Sequence, residues 1–194
     1  LDVADEVDYT FWQDFRKVVK SINPQCFILA ETWRENREML RGDQMDSVMN
    51  YLFRDALVDF FAKKRITPSQ FDERINRILG VYPTTAHLCL YNLIGSHDTA
   101  RFLTLSKEDH RILKTTSAFQ LCFPGIAGIY YGDEIGLTGE NDPDCRKCMD
   151  WVPPEENLEI SNWYKKLIAL RKKMKPLRLG SFASNYCSTE NYVY

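Results

Sequence analysis

The sequence predicts an α/β fold built around a parallel sheet, and three observations carry that prediction. Segments with helical periodicity alternate with short apolar runs. The clearest run, Cys26 to Ala30, is apolar throughout rather than at every second position, as in strands covered on both faces. Polar residues gather just after the runs, at Glu31 and at His97-Asp98. Parallel α/β folds carry their chemistry at that end, whether the sheet closes into a (β/α)8 barrel or stays open and doubly wound. Periodicity alone leaves both architectures open.

In chain order, Tyr9 to Ser21 places Phe11, Phe15, Val18 and Val19 on one helical face, and Asn23-Pro24 stops the helix. Cys26 to Ala30 (CFILA) is of strand length and ends at Glu31. Ser47 to Tyr51 is a second, weaker strand. Helical text follows from Arg54 to Lys64 and from Pro68 to Leu79, the latter with Thr67 as its N-cap. Leu88 to Ile94 (LCLYNLI) is a third strand, Lys107 to Gln120 a third helical region, and Gly128 to Tyr131 a fourth strand. A polar loop from Gly132 to Asp150 leads to an amphipathic helix from Leu158 to Met174, and the tail from Leu177 to Tyr194 reads as extended.

Composition narrows the function classes. The chain has 194 residues with 44% hydrophobic, 27% charged and 13% aromatic side chains, which excludes a disordered, collagen-like or coiled-coil chain. Its 25 basic and 27 acidic residues sum to −2, so no bulk charge draws it to nucleic acid or to a membrane surface. No apolar run reaches the roughly 18 residues of a membrane span. The first residues are rich in charge and lack the apolar stretch of a signal peptide. Cys26, Cys89 and Cys122 lie in apolar runs and read as small buried thiols. Cys145 and Cys148 form one CxxC in a polar loop. His87, His97 and His110 are not spaced to complete a zinc site with it, so it reads as two loop thiols in a reducing, cytoplasmic compartment.

Three carboxylates stand out: Asp2, Glu31 and Asp98. Hydrolysis of a glycosidic bond needs one carboxyl to protonate the leaving oxygen and another to attack or to activate water. A third acid can stabilise the transition state. Taken singly, Glu31 also reads as a surface acid at a strand end, and Asp98 as a helix N-cap.

The words around these acids, LDVADEV, ILAETW and LIGSHDTARF, come in that order and resemble three signature segments of the α-amylase superfamily, glycoside hydrolase family thirteen. The segment PGIAGIYYGDEIGLTGENDPDCRKCMDW resembles that family's eighth barrel strand and loop. VMNYLFRDAL and DPDCRKCM look most like the branch of neopullulanases, cyclomaltodextrinases and maltogenic amylases. The resemblance implies that Asp2 is the nucleophile, Glu31 the general acid/base and Asp98 the transition-state stabiliser, closing the fourth, fifth and seventh strands. It implies that His97 bonds the sugar at the cleavage subsite and that Trp33 is an aromatic platform on the leaving-group side, with ordinary packing as the alternative for Trp33. Tyr51 is expected to line the same side. Asp142 and Arg146 resemble a charged pair at the glycone end of the cleft, the alternative being a solvated ion pair. Asp5 stands where relatives often carry Asn.

The fold so implied is the second half of a (β/α)8 TIM barrel, strands four/five to eight, over residues 1–175, with the start of a C-terminal β domain over 176–194. A full barrel takes about 250 residues. The resemblance implies that the chain is part of a retaining hydrolase of α-1,4-glucosidic bonds, with α-1,6 open, acting on maltooligosaccharides, cyclodextrins or pullulan. Two other readings are a non-catalytic amylase-like sugar-binding or structural protein, which retention of all three acids disfavours, and an unrelated doubly wound binding protein. No cofactor is expected; calcium in the full-length protein is left open. The resemblance implies a homodimer for the full-length protein. These 194 residues alone are expected to be inactive and to self-associate through open sheet edges.

Overall fold

The computed structural model describes residues 1–189 and 191–194. Four short parallel strands form its centre: β1 (Leu29–Ala30), β2 (Ser47–Val48), β3 (Tyr91–Leu93) and β4 (Ile126–Gly128). Leu29 and Ala30 pair with Ser47 and Val48, and Tyr91, Asn92 and Leu93 with Ile126, Ala127 and Gly128. A parallel bridge between Met49 and Tyr91 joins the two pairs. At the other edge the Leu1 amino group donates to Leu29 O at 2.8 Å and Glu31 N donates to Leu1 O at 2.8 Å, the slanted pattern of a parallel neighbour. The order across the sheet is therefore Leu1, β1, β2, β3, β4.

Helices connect and cover these strands. α1 (Tyr9–Ile22) precedes β1, and Arg16 and Lys20 on it bind the two oxygens of Asp46, each at 2.8 Å, just before β2. Between β2 and β3 run α2 (Tyr51–Leu57), which widens into a π turn over Val58–Ala62, and α3 (Pro68–Val81). Between β3 and β4 run α4 (Phe102–Leu105) and α5 (His110–Cys122), and α6 (Glu155–Lys173) packs on α5. The core is aromatic where these helices meet the sheet: Phe53, Phe71, Phe119 and Phe123 are buried, with Phe71 and Phe119 rings 5.3 Å apart.

α3 is capped by Thr67, whose hydroxyl accepts from Gln70 N at 3.3 Å while Gln70 Oε1 accepts from Thr67 N at 2.9 Å. Pro68 follows at a position where its missing N–H is not needed. Thr67→Ala is expected to cost about 1 kcal/mol of stability, within the usual 0.5–2. Urea denaturation measures it, and an unchanged midpoint would remove the cap from the account.

Several sequence boundaries move. α1 turns Trp12, not Phe11 and Val18, into the core, because the Trp12 indole donates to Ala4 O at 2.8 Å; Phe11 and Val18 are exposed. The second strand ends at Val48, since Asn50 caps α2 by accepting from Phe53 N at 3.2 Å, and Tyr51 belongs to that helix. The fourth strand is Ile126–Gly128 instead of Gly128–Tyr131. Gly125 makes the entry, at φ +107°, and an added Cβ there would meet Asn92 Nδ2 at 2.6 Å and Leu90 O at 2.7 Å. Cys26, Cys89 and Cys122 are only half-buried. The tail is not simply extended: a short helix α7 (Lys175–Leu179) leads to an antiparallel pair, β5 (Tyr186–Cys187) and β6 (Tyr192–Val193). Tyr192 packs on Phe71, ring centroids 5.3 Å apart, and Tyr194 on Phe119 at 4.8 Å, so the tail lies against α3 and α5.

Candidate active site

The strand ends place the polar side chains. Glu31 leaves the sheet directly after β1, and its backbone is held from both sides: its N–H donates to Leu1 O, and its carbonyl accepts from Ala4 N at 3.2 Å. Buried amides tie β2 to β3, with Asn50 Nδ2 donating to Asn92 Oδ1 at 2.8 Å. After β3, the turn Gly95-Ser96-His97-Asp98-Thr99 is closed by Ser96 N donating to the Thr99 hydroxyl at 3.1 Å. Asp98 is no N-cap: the nearest helix starts at Phe102 and is preceded by Arg101.

The consequence is convergence. Asp2, Glu31, Met49, His97, Asp98 and Arg146 line one cavity of about 500 Å³ at this end of the sheet. His97 Nε2 is 3.2 Å from Asp98 Oδ2 and 3.9 Å from Glu31 Oε1. Glu31 is only 8% exposed. Burial pushes its carboxyl above the ordinary glutamate range, and the neighbouring Asp2 and Asp98 add to the rise, while His97 opposes it. Asp2 stands close enough to Glu31, in the same cavity, to disfavour the ionised form of the Glu31 carboxyl. A buried acid raised above its ordinary range beside two further carboxylates is the kind of arrangement that acid catalysis uses.

Trp33 is 49% exposed, and one face of its indole stacks on the Tyr51 ring at 4.2 Å and 15°. Tyr51 itself is buried, its hydroxyl bonded to Ser96 Oγ at 3.1 Å, so it backs Trp33 from the protein side and does not line the cleft. Trp33 instead borders a neighbouring cavity of about 670 Å³, together with Asp5, Tyr9 and Glu35. Asp142 and Arg146 do pair, Nε to Oδ1 at 2.6 Å, but Arg146 also reaches inward: its Nη2 donates to Asp98 Oδ1 at 3.0 Å and its Nε to His97 O at 2.9 Å. Arg146 thus fixes the turn that carries Asp98, and Asp142 stands behind it.

Sequence reasoning missed Arg101 and Asp133. Arg101 is 1% exposed and Asp133 3%. Arg101 Nη1 lies 3.2 Å from Asp133 Oδ1, its Nε donates to Cys145 O at 2.9 Å, and its guanidinium covers the Tyr130 ring at 4.1 Å. Arg101 N also donates to Gly139 O at 2.9 Å. The pair therefore anchors the loop after β4, which delivers Arg146 to Asp98. Opposite charges inside the apolar words TARFLTL and YYGDEIG were the available signal.

Metal-type donors gather at one place among the described residues, Glu31, His97 and Asp98. The CxxC is not part of it: Cys145 is buried with its thiol donating to His97 O at 3.0 Å, and Cys148 is exposed.

Comparison with known proteins agrees with this geometry. The family model described as "Alpha amylase, catalytic domain" matches residues 4–157. A cyclomaltodextrinase of Thermoanaerobacter pseudethanolicus is 49% identical over 186 residues, 96% of this chain and 32% of that protein. Neopullulanase 2 of Thermoactinomyces vulgaris is 43% identical over 194 residues, 100% of this chain and 33% of that protein. Among solved structures, the cyclic α-maltosyl-(1→6)-maltose hydrolase of Arthrobacter globiformis superposes with a TM-score of 0.92 at 35% identity, over 97% of this chain and 43% of that one. The chain thus spans about a third of the length of the curated relatives it matches. Its parallel strands correspond to part of the TIM barrel of such enzymes. With the catalytic-domain pattern running through most of its residues, the chain belongs to the α-amylase family.

Proposed function

We propose that the protein carrying this chain is a retaining α-glucan hydrolase that cleaves α-1,4-glucosidic bonds, with α-1,6 as a second linkage, in maltooligosaccharides, cyclodextrins or pullulan. The observation that carries this reading is Glu31: a buried carboxyl whose burial disfavours its ionised form, with Asp2, His97 and Asp98 in the same cavity. Glu31 gives its proton to the glycosidic oxygen as Asp2 attacks the anomeric carbon, forming a glycosyl ester and releasing the leaving sugar. Glu31, now ionised, takes a proton from water, which attacks the same carbon and frees Asp2. Asp98, aimed by Arg146, and His97 meet the sugar hydroxyls, and the open face of Trp33 receives the leaving-group side.

In this reading Leu1-Asp2 closes the fourth barrel strand, β1 to β4 are the fifth to eighth, and 176–194 opens a C-terminal β domain. The full-length protein acts without a cofactor, in the cytoplasm, as a homodimer. Among the described residues all six cysteines are free thiols and no helix is long and apolar enough to cross a membrane. The 194 residues alone, with the Leu1 and β4 edges open, self-associate and do not turn over α-glucan.

The full-length protein, assayed on maltotriose, cyclodextrin and pullulan, should release sugars whose first-formed anomer, read by NMR, retains the α configuration; an inverted first product sinks the mechanism. The raised Glu31 carboxyl also sets the basic limb of the kcat/KM profile. Activity needs protonated Glu31, so the limb should fall above pH 4.5, the ordinary value. In Asp98→Asn, residual activity should show that limb moved to lower pH, because a charge that raised the Glu31 carboxyl is gone. A limb at 4.5 in both proteins would remove Glu31 as the acid.

A further inference from the structure

Glu31 Oε1 is a buried oxygen that accepts no hydrogen bond among the described residues, on a side chain that is only 9% exposed. It faces His97 Nε2 at 3.9 Å, and that nitrogen lies 3.2 Å from Asp98 Oδ2. The three atoms all fall within 4.8 Å of one another. The other Asp98 oxygen, Oδ1, is taken by Arg146, which fixes the carboxylate and leaves Oδ2 turned to the imidazole.

One imidazole nitrogen and two carboxylate oxygens make a donor set suited to zinc. Zinc–nitrogen and zinc–oxygen bonds of about 2.0–2.2 Å put neighbouring ligand atoms of a tetrahedron roughly 3.3–3.5 Å apart. The His97–Asp98 edge already has about that length, and the His97–Glu31 edge must close by about half an ångström. Three protein ligands leave the fourth position to water or to a sugar hydroxyl. Calcium prefers six to eight oxygens and magnesium keeps its own water shell, so neither suits this set.

We propose that Glu31, His97 and Asp98 bind a single Zn²⁺-like divalent cation, and that this cation and the sugar exclude each other. The cation takes the Glu31 oxygen that the sugar reaction needs protonated, and it acts as an inhibitor, not as a cofactor. The cation site rests on the placement of three side chains alone, and its inhibitory effect rests on the hydrolase reading.

Titration of zinc chloride into the reduced full-length protein, followed by calorimetry in a non-chelating buffer, tests it. One cation per chain is expected. His97→Asn and Glu31→Gln should each weaken the apparent affinity tenfold or more, and the double variant Cys145→Ser/Cys148→Ser should leave it unchanged. Cobalt in place of zinc should give the visible spectrum of a tetrahedral nitrogen–oxygen site without a thiolate charge-transfer band. Far-UV circular dichroism checks that each variant is folded. His97 is half-exposed, so its variant decides the matter if Glu31→Gln unfolds. Absence of zinc binding, binding that survives His97→Asn, or binding lost only in the cysteine variant overturns the proposal. If the protein releases no sugar yet binds zinc through His97, the hydrolase reading fails and this one stands; the reverse pattern separates them equally.

Discussion

Glu31→Gln in the full-length protein is expected to lower turnover of maltotriose or cyclodextrin by about 10²–10⁴-fold, the range that general acid catalysis supplies. The amide keeps the shape of the carboxyl but has no proton to give. The loss should therefore shrink sharply on an α-maltoside with an activated aryl leaving group, which departs without protonation. Asp2→Asn should stay inactive on both substrates, because the covalent step is gone whatever the leaving group. The geometry says why the two acids differ. Glu31 is buried, and its carboxyl is raised chiefly by that burial, whereas Asp2 is exposed at the mouth of the cavity. Parallel measurements of kcat and kcat/KM on the two substrate types settle the assignment. An equal loss for Glu31→Gln on both would mean that this residue does not protonate the leaving group.

How far the site was legible from sequence depends on how local its determinants are. Glu31 and Asp98 were readable because each follows a short apolar run, and parallel strands put such positions at one end of the sheet. The strands themselves were overread. CFILA is apolar throughout and LCLYNLI is apolar but for Asn92, yet only Leu29–Ala30 and Tyr91–Leu93 pair as strand. Leu90 and Cys89 are instead held by a turn whose amides donate to Ala86 O. Apolar content reports burial, not which backbone groups find a neighbouring strand. Tyr51 is expected at the cleft but lies buried behind Trp33, because an aromatic near a cleft looks the same in sequence whether it faces the sugar or backs a residue that does. Arg146 reaching Asp98 depends on a contact between the loops after β3 and β4, and no local pattern announces it.

That contact leads to the buried pair beneath it. Arg101→Met is expected to destabilise the protein by about 3–5 kcal/mol near pH 8, the usual cost of removing one partner of a buried ion pair. For a unit of this size the melting temperature should fall by roughly 10 °C. The pH dependence carries the diagnosis. Burial pushes the Asp133 carboxyl up to about 7 even with Arg101 beside it. A carboxyl raised above its unfolded value of 3.8 contributes stability that is fully present below that value and is lost as pH rises through about 7. Without Arg101 the carboxyl rises further, because the largest opposing interaction is gone while burial and the Glu134 charge still raise it. The variant should thus lose little at pH 5, where Asp133 is already protonated, and most above pH 7, where it must ionise unpartnered or stay neutral at a cost. Arg101→Lys should keep the charge but not the fork that also holds Cys145 O, so its stability should lie between the two. Activity follows the same chain of contacts. Loosening Arg101 frees the segment from Gly139 to Arg146, and Asp98 loses the guanidinium that aims it. A displacement of about 1 Å there costs up to about a hundredfold in kcat/KM. Thermal melts at pH 5 and pH 8, with kcat/KM for each variant, provide the test. A loss of stability equal at both pH values would show that Arg101 contributes through its packing on Tyr130 and its hydrogen bond to Cys145 O, and that Asp133 is not its electrostatic partner.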